Sequence, residues 1–126
     1  MGIYKLGAIE LRFAGLIWER APIGSGELVK LCAAELGWKK STTYTVLRKL
    51  CDKGFFENRN GMVTVLATRA DYEADQSRQV VQEEYHGSLP YFISAFAGRD
   101  GLGDADLEEL ERLIERYRKG GRNEDL

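Results

Sequence analysis

The chemistry open to this sequence is concentrated in one short run. Ser41, Tyr44, Thr45 and Arg48 recur at i, i+3, i+4 and i+7, flanked by Lys39, Lys40 and Lys49. A helix over this run would show hydroxyls, a phenol and a guanidinium on one face, with ammonium groups at its margins. Hydroxyls take base edges or phosphates, a Thr methyl packs on the thymine methyl, and Arg grips guanine. Lysines at the helix start, and Arg59 in the Arg59-Asn60-Gly61 stretch further on, would anchor phosphates and set register. This is contact chemistry, not bond making.

Other reactive side chains are sparse. Cys32 and Cys51 lie 19 residues apart with no Cys-x-x-Cys pair, and His86 is the only histidine. Zinc fingers and disulfide frameworks need more ligands than that. Both thiols are expected to pack as small apolar core groups, and His86 as a surface or capping residue at a helix end. No paired nucleophile and base, metal cluster or phosphate loop is present, so the expectation is no enzyme, no cofactor and no metal.

The elements that must position the polar stripe follow from apolar spacing. The chain has 126 residues, 44% hydrophobic and 30% charged, enough for one compact domain with an appendage. Leu6, Ile9, Phe13, Leu16 and Ile17 predict a helix from about Gly7 to Arg20, ending before Pro22, with Trp18 closing the core beside it. An extended connector, Pro22-Ile23-Gly24, leads to a second helix with Ser25 as its N-cap, Leu28, Leu31, Cys32 and Leu36 on its face, and Gly37 as its stop. The third helix buries Thr43, Val46, Leu47 and Leu50 opposite the polar stripe and ends at Gly54. Asn60-Gly61 between two β-prone runs predicts a tight hairpin. Three short helices followed by a hairpin is the order of a winged helix-turn-helix domain, over residues 1 to 68.

The remainder is helical and acidic. Residues 1 to 69 hold 11 Lys+Arg against 6 Asp+Glu, whereas residues 70 to 126 hold 7 against 14, which suggests an anion-facing module joined to something else. Thr68 to Asp71 forms a capping-box signal for a helix to about Tyr85, in which Tyr72, Val80, Val81 and Tyr85 are the few apolar residues. Ser88 caps a short helix with Leu89, Phe92, Ile93 and Phe96 in register, before Gly98. A last helix carries Leu107, Leu110, Leu113, Ile114 and Tyr117, with Glu108 to Arg112 and Glu115 to Lys119 spaced as ion pairs. These stripes have little monomer core to cover, so residues 69 to 119 are expected to pair with a second copy as a homodimer; folding back onto the head is the alternative. Residues 120 to 126 read as a flexible tail.

Over nearly its whole length the chain resembles the penicillinase-repressor family of winged-helix transcription factors. The resemblance is carried by Leu6 with Glu10-Leu11, by Ile17-Trp18-Glu19, Gly37-Trp38, the run Ser41 to Leu50, and Lys53-Gly54-Phe55. Gly87-Ser88-Leu89 and Leu102 to Leu113 extend it. The resemblance implies a dimeric repressor on an inverted-repeat operator in double-stranded DNA, with Ser41, Thr42, Tyr44, Thr45 and Lys49 in the DNA-contacting stretch. It also implies release through a membrane-bound sensor metallopeptidase and a cut within the fifth helix, at an Asn-Phe bond that corresponds here to Ala95-Phe96. The copper-responsive branch carries a cysteine cluster near its C-terminus; here no cysteine follows Cys51.

The fold expected is therefore mainly α with a small β-hairpin wing, a winged helix-turn-helix domain followed by a helical dimerisation region. The function expected is sequence-specific repression by a cytoplasmic homodimer that does not insert in a membrane. The rival is a winged-helix module that docks a protein through the same face.

Overall fold

The computed structural model describes residues 4 to 120. The expected flexible tail lies, beyond Gly120, outside them. The elements run α1 (Ala8–Arg20), β1 (Ile23–Gly24), α2 (Ser25–Leu36), α3 (Lys40–Asp52), β2 (Phe56–Arg59), β3 (Met62–Val65), α4 (Arg69–Glu84), α5 (Leu89–Ala97) and α6 (Asp104–Arg118). The chain is mainly helical with one small antiparallel sheet, and it divides into two compact units after Val80. No helix among the described residues is long and apolar enough to cross a membrane.

The first unit is built around Phe13, Ile17, Leu28, Leu47, Leu50, Phe55, Phe56 and Val63, all essentially inaccessible to solvent. Phe13 stacks on Trp38 with ring centroids 5.3 Å apart, so the connector two residues before α3 is fixed to α1. Gly37 closes α2 with φ +68, a left-handed conformation that costs glycine little. Trp18 packs against the core, and its indole N–H donates to the Ala67 carbonyl at 2.9 Å. Ile9, placed by spacing on the buried face of α1, is half exposed, whereas Leu6, just before the helix, is buried as expected.

The hairpin is as the sequence implies. Asn60 and Gly61 have φ of 53 and 83 and join β2 to β3 with Arg59 opposite Met62. Two features differ from expectation. The Ile23–Gly24 connector is a third strand, paired with Val63 and Met62, so the sheet order is β1-β3-β2. Ser25 is the first residue of α2, and Gly24 occupies the N-cap position. Both follow from one cause: pairing with β3 carries the chain extended through Gly24, and the helix starts where the pairing ends.

Thr68 and Asp71 form a reciprocal cap on α4, each backbone N–H donating to the other's side-chain oxygen at 3.0 Å. Those hydrogen bonds hold the Asp71 carboxyl below its ordinary range. Tyr72, one turn in, is buried in the first unit's core, and its hydroxyl accepts from the Leu6 N–H at 3.0 Å.

In the second unit Ser88 caps α5, accepting from the Tyr91 N–H at 3.1 Å. Tyr85 meets Phe92 edge to face, centroids 5.0 Å apart. His86 is exposed, with φ 57 and its ring 4.9 Å from that of Tyr91. Neither α5 nor α6 contains a fully buried residue. Lys119 pairs with Glu115 as spaced, but Arg112 takes Glu109 at 2.7 Å in place of Glu108. Both three- and four-residue spacings face each other on a helix, and periodicity alone does not choose between them.

Candidate nucleic-acid interface

Helix α3 owes its two faces to where its residues fall in the turn. Thr43, Leu47 and Leu50 are buried and Val46 half-buried, which anchors the helix and turns Ser41, Thr42, Thr45 and Arg48 outward, all exposed. Thr43 is a buried polar residue satisfied locally, its hydroxyl donating to the Lys39 carbonyl. Lys39 occupies the N-cap position of α3 and Lys40 opens it; both are exposed. Thr45, Arg48, Lys49, Asp52 and Lys53 line one open groove along the helix. Tyr44, Arg48, Cys51 and Asn58 line another, between α3 and β2, that brings the wing beside the stripe.

Two residues of the predicted set have partners that the sequence did not announce. Lys49 Nζ lies 2.9 Å from Glu10 Oε2 and 5.5 Å from the centre of the Tyr4 ring. Glu10 also accepts from the Gly7 N–H at 3.0 Å. Lys49 first, and then that N–H, hold the Glu10 carboxyl below its ordinary value, while the same contact raises the Lys49 ammonium. Lys49 thus ties α3 to α1 from the edge of the stripe. Tyr44 is half-buried, and its hydroxyl donates to Ser25 Oγ at 2.9 Å. Arg59 stands at the wing tip, its guanidinium 2.9 Å from Glu57 and largely exposed.

Spacing missed Ser25, Asn58, Asp52 and Lys53. The first two come from other elements and reach α3 only through the tertiary fold. Asp52 lies eleven residues after Ser41 and seven after Thr45, so extending the stripe by one turn would have included it; Lys53, the C-cap of α3, falls off that spacing. Cys32 is buried, whereas Cys51 is only half-buried, a departure from the expectation for both. Burial raises both thiols above their ordinary range, which disfavours the reactive thiolate. Among the described residues no three His, Cys, Asp or Glu side chains gather as a metal would require.

In the second unit, Leu89, Phe96, Leu107, Leu113, Ile114 and Tyr117 are exposed, and Phe92, Ile93 and Leu110 half-buried. Ala95 and Phe96 lie exposed in the last turn of α5, next to its Gly98 C-cap.

Three helices, a β-hairpin beside an anchored third helix, and an exposed polar stripe on that helix define a winged helix-turn-helix protein. The chain belongs to the penicillinase repressor family, whose sequence model matches residues 6–116. It is 25% identical to a penicillinase repressor of Bacillus licheniformis over 120 residues, covering 92% of this chain and 94% of the relative. It is 20% identical over 115 residues to the methicillin resistance regulatory protein MecI of Staphylococcus aureus strain Mu50, covering 88% and 94%. The corresponding protein of Mammaliicoccus sciuri is 19% identical over the same length.

Proposed function

We propose that this protein is a transcriptional repressor that binds an inverted-repeat operator as a homodimer, reading sequence with α3 and holding the backbone with Lys39, Lys40 and Arg59. The observation that carries the reading is the stripe Ser41, Thr45 and Arg48, exposed on a helix whose opposite face is locked into the core. Membership of a repressor family along nearly the whole chain supports it. Thr42 and Tyr44 border the stripe, and Lys49 contributes mainly by orienting α3 through Glu10. An operator reader works where the DNA is, so the reading includes a cytoplasmic location.

Dimerisation is part of the mechanism. The exposed Leu89, Phe96, Leu107, Leu113, Ile114 and Tyr117 of α5 and α6, with the half-buried Phe92, Ile93 and Leu110, are the residues we assign to contact with a second copy, because this much apolar surface is costly to leave in water. Two linked heads then enter successive major grooves on one side of the duplex. A cut at Ala95-Phe96 by a sensor-linked metallopeptidase would remove α6 from the pair and release the operator. That bond lies in a helical turn that must open before a protease can take it.

The test is fluorescence anisotropy against the DNA upstream of the protein's own coding sequence and against a scrambled duplex, at several salt concentrations. Operator reading gives binding that is tight, sequence-dependent and steeply weakened by salt, because each neutralised phosphate releases counterions. Equal or negligible binding to both duplexes would overturn it in favour of a protein-docking winged helix.

A further inference from the structure

Ser25 makes two contacts, one through its main chain and one through its side chain. Its backbone N–H donates to the carbonyl of Gly61, at the tip of the hairpin, at 2.7 Å. Its hydroxyl accepts the Tyr44 phenol of α3 at 2.9 Å. The preceding residue, Gly24, is paired with Met62 in the sheet. A Cβ on Gly61 would lie 3.8 Å from Ser25 Oγ, so the hydroxyl stands directly under the turn. We propose that Ser25 is a positioning residue for sequence reading: through its main chain it holds the wing tip, through its side chain it holds Tyr44, and so it sets both against α3 from one point.

The two bonds restrain different elements. Tyr44 is half-buried on the edge of the reading face, and without an acceptor its ring could take more than one rotamer and present its phenol in different places. With the hydroxyl held on Ser25, the ring is ordered before DNA arrives, and ordering done in advance is not charged against binding. The wing tip is held by the backbone N–H of the same residue, a contact that side-chain substitution leaves in place. Ser25→Ala therefore separates the two roles: the sheet and the fold persist, and only the orientation of Tyr44 is released. Phosphate contacts from Lys39, Lys40 and Arg59 do not pass through the Ser25 side chain, so sequence-independent affinity is left unchanged in Ser25→Ala.

This inference rests on the operator-reading proposal above, and the experiment separates their failures. A duplex is first selected from a random library by the wild-type protein, then compared with its scrambled version for wild type, Ser25→Ala, Ser25→Thr, Tyr44→Phe and the Ser25→Ala/Tyr44→Phe double variant, with thermal melts alongside. If wild type selects no sequence, operator reading falls and this inference with it. Where it does select one, Ser25→Ala is expected to lower the ratio of selected to scrambled affinity about fivefold per head, the usual worth of one hydrogen bond. Affinity for the scrambled duplex should stay within twofold of wild type, Ser25→Thr should restore the ratio, and Ser25→Ala should add nothing to Tyr44→Phe. An unchanged ratio in Ser25→Ala, or an equal loss with and without the Tyr44 hydroxyl, overturns the inference. A lowered melting temperature with the ratio intact also overturns it, by showing a merely structural role.

Discussion

Phe96→Ala tests the pairing of two copies at the most exposed aromatic residue of the second unit. Its side chain is 70% exposed in a single chain, and its ring contact is with Phe92, centroids 6.4 Å apart. Full burial of a phenylalanine is worth about 1.5–3 kcal/mol, so covering the exposed share contributes ~1–2 kcal/mol in each copy. A two-fold interface counts the residue twice, and the expected loss is ~2–4 kcal/mol, or a dimer constant about 30-fold to 1,000-fold weaker. Because the residue is exposed in one chain, the fold of that chain should not suffer. Sedimentation equilibrium reads the dimer constant, and thermal melts at high dilution, where both proteins are monomeric, read the fold. Operator affinity should fall alongside, since the second head no longer benefits from the effective concentration that linkage provides. A dimer constant within threefold of wild type, with the fold intact, would show that the partner copy does not cover Phe96 and would move the interface elsewhere.

Thr45→Ala should relax sequence preference with little change in salt dependence, whereas Lys40→Ala should weaken all duplexes about equally and lower the salt slope by about 0.9 for each lost phosphate contact. Identical behaviour of the two in anisotropy titrations would refute the division between base and phosphate contacts. Glu10→Gln should lower the melting temperature at neutral pH. The folded-state carboxyl of Glu10 titrates below its ordinary 4.5 because of Lys49 and the Gly7 N–H, so its stabilisation is complete above that value and disappears as pH falls through the lowered one. The gap between wild type and variant should therefore close on acidification from neutral pH through the lowered value; a gap that stays constant would mean the ion pair is not its source. Phe13→Ala, which empties a fully buried site stacked on Trp38, should cost about 3–5 kcal/mol in urea denaturation. A loss under about 1 kcal/mol would show that the core collapses around the missing ring.

What could be read from the sequence was local, and what could not was carried by pairs far apart in the chain. Asn60-Gly61 announces its hairpin because positive φ at both positions is a property of those two residues. Thr68 with Asp71, and Ser88 with the Tyr91 N–H, announce their caps because donor and acceptor lie three residues apart. Strand β1 has two residues, too few to show a period, and exists only because Val63 and Met62 pair with it from some 40 residues away. Tyr72 looked like one of four apolar residues on a poor helix, yet it is buried through a bond to Leu6, 66 positions earlier. The interface divides in the same way. The polar stripe of α3 is a matter of spacing and was legible, while the Ser25 contact of Tyr44 and the Glu10 contact of Lys49 belong to the fold and were not.

The distribution of charge bears on how an operator reader of this kind discriminates. Net charge is -2 for the whole chain, although residues 1 to 69 carry an excess of cations. Long-range attraction to a polyanion follows overall charge, whereas contact energy follows the groups within a Debye length of the backbone, about 8 Å at physiological salt. Under the proposed operator reading, an acidic second half lowers the affinity for any duplex while leaving the backbone contacts proposed for Lys39, Lys40 and Arg59 in place. Apart from Arg48, the reading face proposed for α3 is uncharged: Ser41, Thr42, Tyr44 and Thr45 would gain from phosphate proximity far less than a lysine would, and hydroxyl and methyl contacts of this kind depend on which base is opposite. Weak general attraction combined with an uncharged reading face raises the ratio of specific to non-specific binding, and that ratio decides occupancy when competing sites outnumber operators by a million or more. Under the proposed dimeric reading, the acidic helices would tune discrimination as well as join two heads. Neutralising Asp104, Asp106, Glu108 and Glu109 to their amides, all four exposed near the start of α6, should raise affinity for scrambled DNA more than for the operator, and an equal rise for both in anisotropy titrations would refute it.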